Sequence, residues 1–158
     1  MKNVKSLLVN GAIALVGVLV LVFLSQAYLS VAGNSIGSGY DMMEIYSGAL
    51  ARYIVLALAN IFLCVVACLI VVAAVLSMLA DCGVIKNEKF AKVVGSSKLV
   101  LTILAVVFAV LSLVMLIVIN EKDMYGMASM GWALIVNLVL VVLGLAVAVA
   151  GKLLNKKK

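Results

Sequence analysis

Cys64 and Cys68 stand one helical turn apart, and Cys82 follows at the end of the same apolar run. Two thiols at that spacing could hold a soft metal, but the chain has no histidine and no third thiol at the same depth. The spacing therefore predicts cysteines that act as small buried apolar side chains. None of the three lies in an outer segment and Cys82 should meet a reducing compartment, so no disulfide is expected. Met124, Met127 and Met130 recur every third residue and would place three sulfurs on adjacent turns of a helix, a set that could take Cu(I). Read more simply, they are flexible apolar surface resting on lipid or on a partner. Asp41, Glu44, Glu121 and Asp123 could do acid–base work or hold calcium, but calcium requires six or more oxygens, and these positions suit solvated helix caps. A serine, threonine or cysteine nucleophile needs a base and an orienting group, and no such set is visible; phosphate and dinucleotide glycine patterns are also absent. The expectation is a protein that is not an enzyme and has no cofactor or metal site.

The elements that carry these residues are apolar runs. The 158 residues are 68% hydrophobic and 11% charged, with a mean hydropathy of +1.38, far from soluble domains with roughly a quarter of their residues charged. Spans at about 6–29, 52–80, 98–119 and 132–151 each reach the roughly 20 residues needed to cross about 30 Å of hydrocarbon. These runs are continuous rather than alternating, which excludes a β-barrel and leaves the helix to satisfy the backbone in lipid. The fold class predicted is an all-α membrane protein, residues 1–158 forming one domain of four transmembrane helices. The first run follows Lys2 and Lys5 as a signal peptide would, but it is longer than the usual 7–15 residue core, so it is read as a retained span.

Each span has a seam of small or polar residues. On the second it is Ala57, Asn60, Cys64, Ala67, Val71 and Ala74; on the fourth it is Asn137, Gly144, Ala148 and Gly151. Thr102, Ala105, Ala109 and Ser112 continue the pattern on the third, and Asn10, Ala14, Gly17, Leu21 and Ser25 on the first. Lipid tails are as apolar as leucine, so helices in a bilayer associate by close backbone approach and by hydrogen bonds between them, which such seams permit. The near-heptad period predicts a left-handed antiparallel bundle with crossings of about +20°. Inside the hydrocarbon no acid or lysine falls on a seam, so nothing marks an ion path. Asn60 and Asn137 stand at similar depths below the outer surface on their seams, and are predicted to hydrogen-bond to each other.

Ten of the twelve basic residues, among them Lys86, Lys89, Lys92, Lys98, Lys156, Lys157 and Lys158, flank the spans on one side; Arg52 and Lys122 fall on the other. The positive-inside rule then predicts cytoplasmic N- and C-termini in the cell membrane. Lys86, Lys89, Lys92, Lys156, Lys157 and Lys158 are expected to contact anionic headgroups, and their scatter without interleaved aromatics argues against nucleic acid. The near-absence of arginine beside eleven lysines points to a low-GC bacterium.

Between spans lie outer segments 30–51 and 120–131, a cytoplasmic loop 81–97 and a basic tail 152–158. Gly33 to Gly39 is Gly/Ser-rich and reads as flexible. Asp41 three before Glu44 is the Asp-x-x-Glu analogue of a capping box, predicting a helix from Met42, with Arg52 and Tyr53 marking the outer interface. Asp81-Cys82-Gly83 should end the second helix, and Asn87 should cap a short amphipathic helix, Glu88 to Val94, along the headgroups. The chain contains no proline, which weakens a transporter built from broken helices.

In layout, with both ends on one side, a longer first outer segment and a short second one, the chain is similar to claudin-like tetraspan proteins. The likeness is one of topology, since the first outer segment lacks the tryptophan-rich motif and cysteine pair of that family, and no function follows from it. The leading expectation is a small non-enzymatic membrane protein acting through helix association, as a homo-oligomeric scaffold or as accessory subunit to a membrane-protein partner. An oligomeric channel or large-pore former is the second expectation, and an intramembrane enzyme or soft-metal transporter the third.

Overall fold

The computed structural model describes residues 2–32, 34–44 and 50–156. Four helices, α1 (Lys2–Leu24), α2 (Ala51–Asp81), α3 (Glu88–Asp123) and α4 (Trp132–Lys156), are long and apolar enough to cross a membrane. At 1.5 Å per residue α2 and α3 are about 46 and 54 Å long, well beyond a hydrocarbon core of about 30 Å.

The ends of the helices follow from local chemistry. After Asp81 the chain turns through Gly83 at φ +76°, and Gly83 N–H donates to Ala80 O while Val84 N–H donates to Leu79 O, both at 3.0 Å. This pair of bonds satisfies carbonyls that would otherwise be orphaned, and glycine adopts the left-handed residue without strain. Asn87 caps α3, its Oδ1 accepting from Phe90 N–H at 3.2 Å. The expected short helix Glu88 to Val94 is not separate: it forms the first two turns of α3, because no glycine turn or proline stops it and the hydrogen-bond ladder continues through Gly95.

Each helix packs on its neighbours in sequence, and α1 closes the ring on α4. Pairs such as Phe62 with Phe108, whose rings stack at 5.2 Å, and Asn60 with Ser112 show α2 and α3 running antiparallel. Close backbone approach is concentrated on glycines. A Cβ at Gly17 of α1 would lie 2.7 Å from Val71 Cγ2 and 3.1 Å from Ala67 O of α2. One at Gly144 would lie 2.9 Å from Val16, and one at Gly151 2.8 Å from Val9, so α1 and α4 meet valine into glycine from their middles toward the end that carries the termini. Ile13, Val20, Leu63, Leu116 and Val141 fill the axis between the helices.

The four helices are unequal above that contact. From Ile70, opposite Gly17, α2 continues for about 19 residues to Ala51, whereas α1 continues for about seven to Leu24, so α2 rises roughly 18 Å farther. A three-stranded antiparallel sheet fills the step, in the order β2 (Asn34–Ser38), β1 (Ala27–Val31), β3 (Ser129–Met130). The first span therefore stops at Leu24 rather than at 29. Tyr40 explains the stop: its N–H donates to Leu24 O and its hydroxyl to Leu21 O, both at 3.1 Å, supplying donors for the last carbonyls of α1. Likewise Asn34–Ser38 of the stretch read as flexible fold as β2, and Gly37 within it and Gly39 just after it are buried because Met42 and Leu24 press on them. Of the helix expected from Met42, the described residues form a single 3-10 turn, Asp41–Met43, with Glu44 extended; residues 45–49 of that expectation lie outside the described residues. A reciprocal cap does form, one window earlier: Asp41 Oδ2 accepts from Ser38 N–H at 2.7 Å and Ser38 Oγ accepts from Asp41 N–H at 3.2 Å. That bond from Ser38 holds the Asp41 carboxyl below its ordinary range.

Gly17→Leu should push α1 off α2 and cost about 1–3 kcal/mol of unfolding free energy in a detergent denaturation series. Gly95→Ala, where nothing lies within 4 Å of the new Cβ, should be neutral or stabilise by up to about 1 kcal/mol. Equal losses at the two sites would remove the close approach from the account of this fold.

Candidate functional site

In a bundle whose outer wall is apolar, the polar side chains that turn inward are the candidate site, and they lie in three places. The first is the upper interior. Asn60 of α2 is fully buried; its Nδ2 donates to Leu56 O at 3.0 Å and its Oδ1 accepts from Ser112 Oγ of α3 at 3.2 Å. Asn137 of α4 donates instead to the hydroxyl of Tyr28, which reaches down from β1, at 2.5 Å. The expected Asn60–Asn137 bond is thus replaced by two others. Their helices are diagonal in the ring, so matching seams and depths brought each amide to the interior but not to the other's helix. Among the described residues Asn137 Oδ1 meets no donor. Burial pushes the Tyr28 phenol up to about 12, with the Asn137 bond opposing. For a phenol raised in this way, the stabilisation is complete below its unfolded value near 10 and is lost as pH rises through about 12.

The second place is the end of the bundle that carries the termini. Ser6 Oγ donates to Asp81 Oδ2 at 2.7 Å, and Asn10 Nδ2 donates to the same oxygen at 2.8 Å. Lys98 Nζ of α3 donates to Asn10 Oδ1. Here the sequence reading is corrected: an acid and a lysine do turn onto the seams. Asp81 is the last residue of α2 and Lys98 stands ten residues into α3; the long lysine stem carries its charge to Asn10, which bonds to both charged groups. The cluster ties α1, α2 and α3 with charge-assisted bonds, worth more than neutral ones where water is scarce.

The third is the top of the two long helices. Arg52 of α2 grips Asp123 of α3 through both carboxylate oxygens, its Nε at 2.7 Å from Oδ2. Asp123 is therefore a partner rather than a solvated cap. Asn120 copies a strand, donating to Ala128 O at 2.8 Å and accepting from Ala128 N–H at 3.0 Å, and so aims the chain into β3. Arg52 and Tyr53 lie well above Trp132 and Phe23, whose rings meet edge to face at 5.5 Å where α1 and α4 end.

The remaining candidates fall as follows. Ala57, Ala67, Ala74 and Ala148 are buried in the bundle with Asn60, Asn137, Gly144 and Gly151 near them, while Cys64 is half-buried at its margin. Cys68 and Cys82 are exposed, so only Cys64 packs against the core; a turn of 100° per residue puts Cys68 past the edge of the buried face. Met124, Met127 and Met130 do not share a helix: α3 ends at Asp123, Met127 is exposed in a turn that passes Gly126 at φ +74°, and Met130 is in β3. No three acids, cysteines or histidines converge among the described residues. Lys86, Lys89 and Lys92 are exposed at the terminal end. Lys157 and Lys158 lie outside the described residues, as does the side chain of Lys156.

Double-mutant cycles test these pairings. Asn60→Leu with Ser112→Ala should couple by about 0.5–2 kcal/mol, and so should Asn137→Leu with Tyr28→Phe. Asn60→Leu with Asn137→Leu should add to within about 0.5 kcal/mol. Coupling confined to the two asparagines would reverse the assignment.

Compared with models of protein families, with curated proteins and with solved structures, the chain matches none.

Proposed function

We propose that this is a non-enzymatic multi-pass protein of the cell membrane that acts by helix association, as a self-assembling scaffold or as accessory subunit of a membrane complex. The observation that carries the reading is a surplus of small residues on the outside once the inner seams are filled. Ala146 and Ala150, one turn apart, are exposed on α4, and at Gly11 of the neighbouring α1 a Cβ would meet nothing within 4 Å. Small residues four apart let a second helix approach closely in lipid, where packing rather than water drives association. The filled axis supports the same reading, since a conduit would have to run between protomers. The lysine-rich end is taken to face the cytoplasm and its anionic headgroups, with both termini there, and the near-heptad seams support left-handed crossings of about +20°.

Mass measurement in mild detergent and in nanodiscs, with crosslinking in cells, should find a homo-oligomer or a membrane partner. Ala146→Ile combined with Ala150→Ile should weaken association about tenfold or more while leaving the monomer's unfolding unchanged. A strict monomer without crosslinked partners overturns the proposal. Orientation has its own check in Cys82, which is exposed at the terminal end of α2. A membrane-impermeant maleimide should label it only after cells are opened; labelling of intact cells would reverse the topology.

A further inference from the structure

Below the stacked Phe62 and Phe108, a groove of about 320 Å³ opens on the outer wall between α2 and α3. Leu69, Val72 and Leu76 line it from one side, Phe90, Val94 and Leu101 from the other. Its one polar lining residue, Ser97, donates its hydroxyl to Val94 O at 2.8 Å, so the lining side chains offer an occupant no free hydrogen-bond donor. The volume is that of a small-ligand site, but a polar ligand would lose its hydration here without replacement. A slot of this kind, lying along two helices that face lipid, suits a hydrocarbon chain.

What stands at its lower end decides which chain. Phe90 belongs to the first turn of α3, so the groove reaches the loop where α2 turns into α3. Lys86, Lys89 and Lys92 are exposed along that loop and first turns, against a single exposed acid, Glu88. Asp81, the other acid nearby, is engaged by Ser6 and Asn10. The local charge is therefore positive beside an apolar slot. A second copy docked groove to groove would set its lysines against these, a repulsion that argues against self-association through this wall.

We propose that the groove holds one anionic phospholipid, an acyl chain in the slot between α2 and α3 and the phosphate at Lys86 and Lys89. The inference rests on the reading that the lysine end lies at the headgroups of a membrane. It adds a bound lipid to that reading, where the lysines alone would imply only a diffuse attraction. Each lysine engaged should favour an anionic over a zwitterionic headgroup by about fivefold.

The single tryptophan makes the test selective. Phe90→Trp in a Trp132→Phe background places the fluorophore in the groove with little change of shape, and the unmodified chain keeps it at Trp132 on the far side of the bilayer. The full chain is reconstituted in mixtures of phosphatidylglycerol and phosphatidylcholine, with one or the other brominated on its chains, and quenching gives the preference at each position. Phe90→Trp should show a several-fold preference for phosphatidylglycerol, falling toward one when Lys86 and Lys89 are changed to glutamine. Trp132 should be quenched equally by both lipids. In native mass spectrometry the unmodified chain should keep one phosphatidylglycerol under activation that strips phosphatidylcholine. No preference at Phe90→Trp, or one untouched by the glutamines, overturns the lipid site, as does equal loss of the two lipids from the unmodified chain. Failure of either brominated lipid to quench Trp132 would overturn the membrane placement itself.

Discussion

The structure depends on how closely α1 can lie against α2 and α4. In a bilayer the apolar effect that assembles soluble cores gives helices no preference for each other over lipid, so van der Waals contact and a few hydrogen bonds must do the work. Gly17 lets Val71 and the carbonyl of Ala67 come to the α1 backbone, and Gly144 and Gly151 receive Val16 and Val9 on the other side. The amides then matter because they are inside that contact. A buried amide with no partner costs several kcal/mol in hydrocarbon, so Asn10 and Asn60 draw Asp81, Lys98 and Ser112 to themselves and pin the neighbouring helices in register.

Unequal helix length gives the molecule its two different ends. α2 and α3 rise past α1 and α4, and their tops are joined by Arg52 and Asp123. The step that remains is filled by strands whose backbone groups pair among themselves and with the end of α1 through Tyr40. Tyr28 is the link between the sheet and the bundle. It is buried below β1 and its hydroxyl ends on Asn137, so hairpin and helices have to be placed together. At the other end no sheet is present among the described residues; the ties are side-chain bonds around Asn10, with lysines outside them. One end is thus closed by backbone pairing and the other by charge, a difference that bears on which end meets a headgroup layer and which offers a structured surface.

Much of this was legible in the residues, and some was not. The four runs of hydrophobicity, the stop at Gly83, the cap at Asn87 and the buried sides of α2, α3 and α4 all follow from period and from local turn chemistry, which short stretches carry within themselves. Ala27 to Val31 was hidden because its residues extend an apolar run, and nothing in composition separates the end of a helix from the start of a strand that folds back on it. The Gly/Ser stretch was misread for a similar reason. Glycine marks both flexible chain and close packing, and only Leu24 and Met42 against Gly39 and Gly37 decide between them.

By itself, the sequence determined that this chain is apolar enough to cross a membrane four times, where its helices are, and which side of most of them is small and polar. These are properties of single segments, set by side-chain type and by the 100° turn of the helix. Only the tertiary structure decided who meets whom. Asn60 went to Ser112, Asn137 to Tyr28, Asp81 and Lys98 to Asn10, and Arg52 to Asp123, because partners depend on the order of helices in the ring and on their relative heights. A seam states that a face is buried; it is silent on the identity of the neighbour, since in lipid every small-residue face can accept every other.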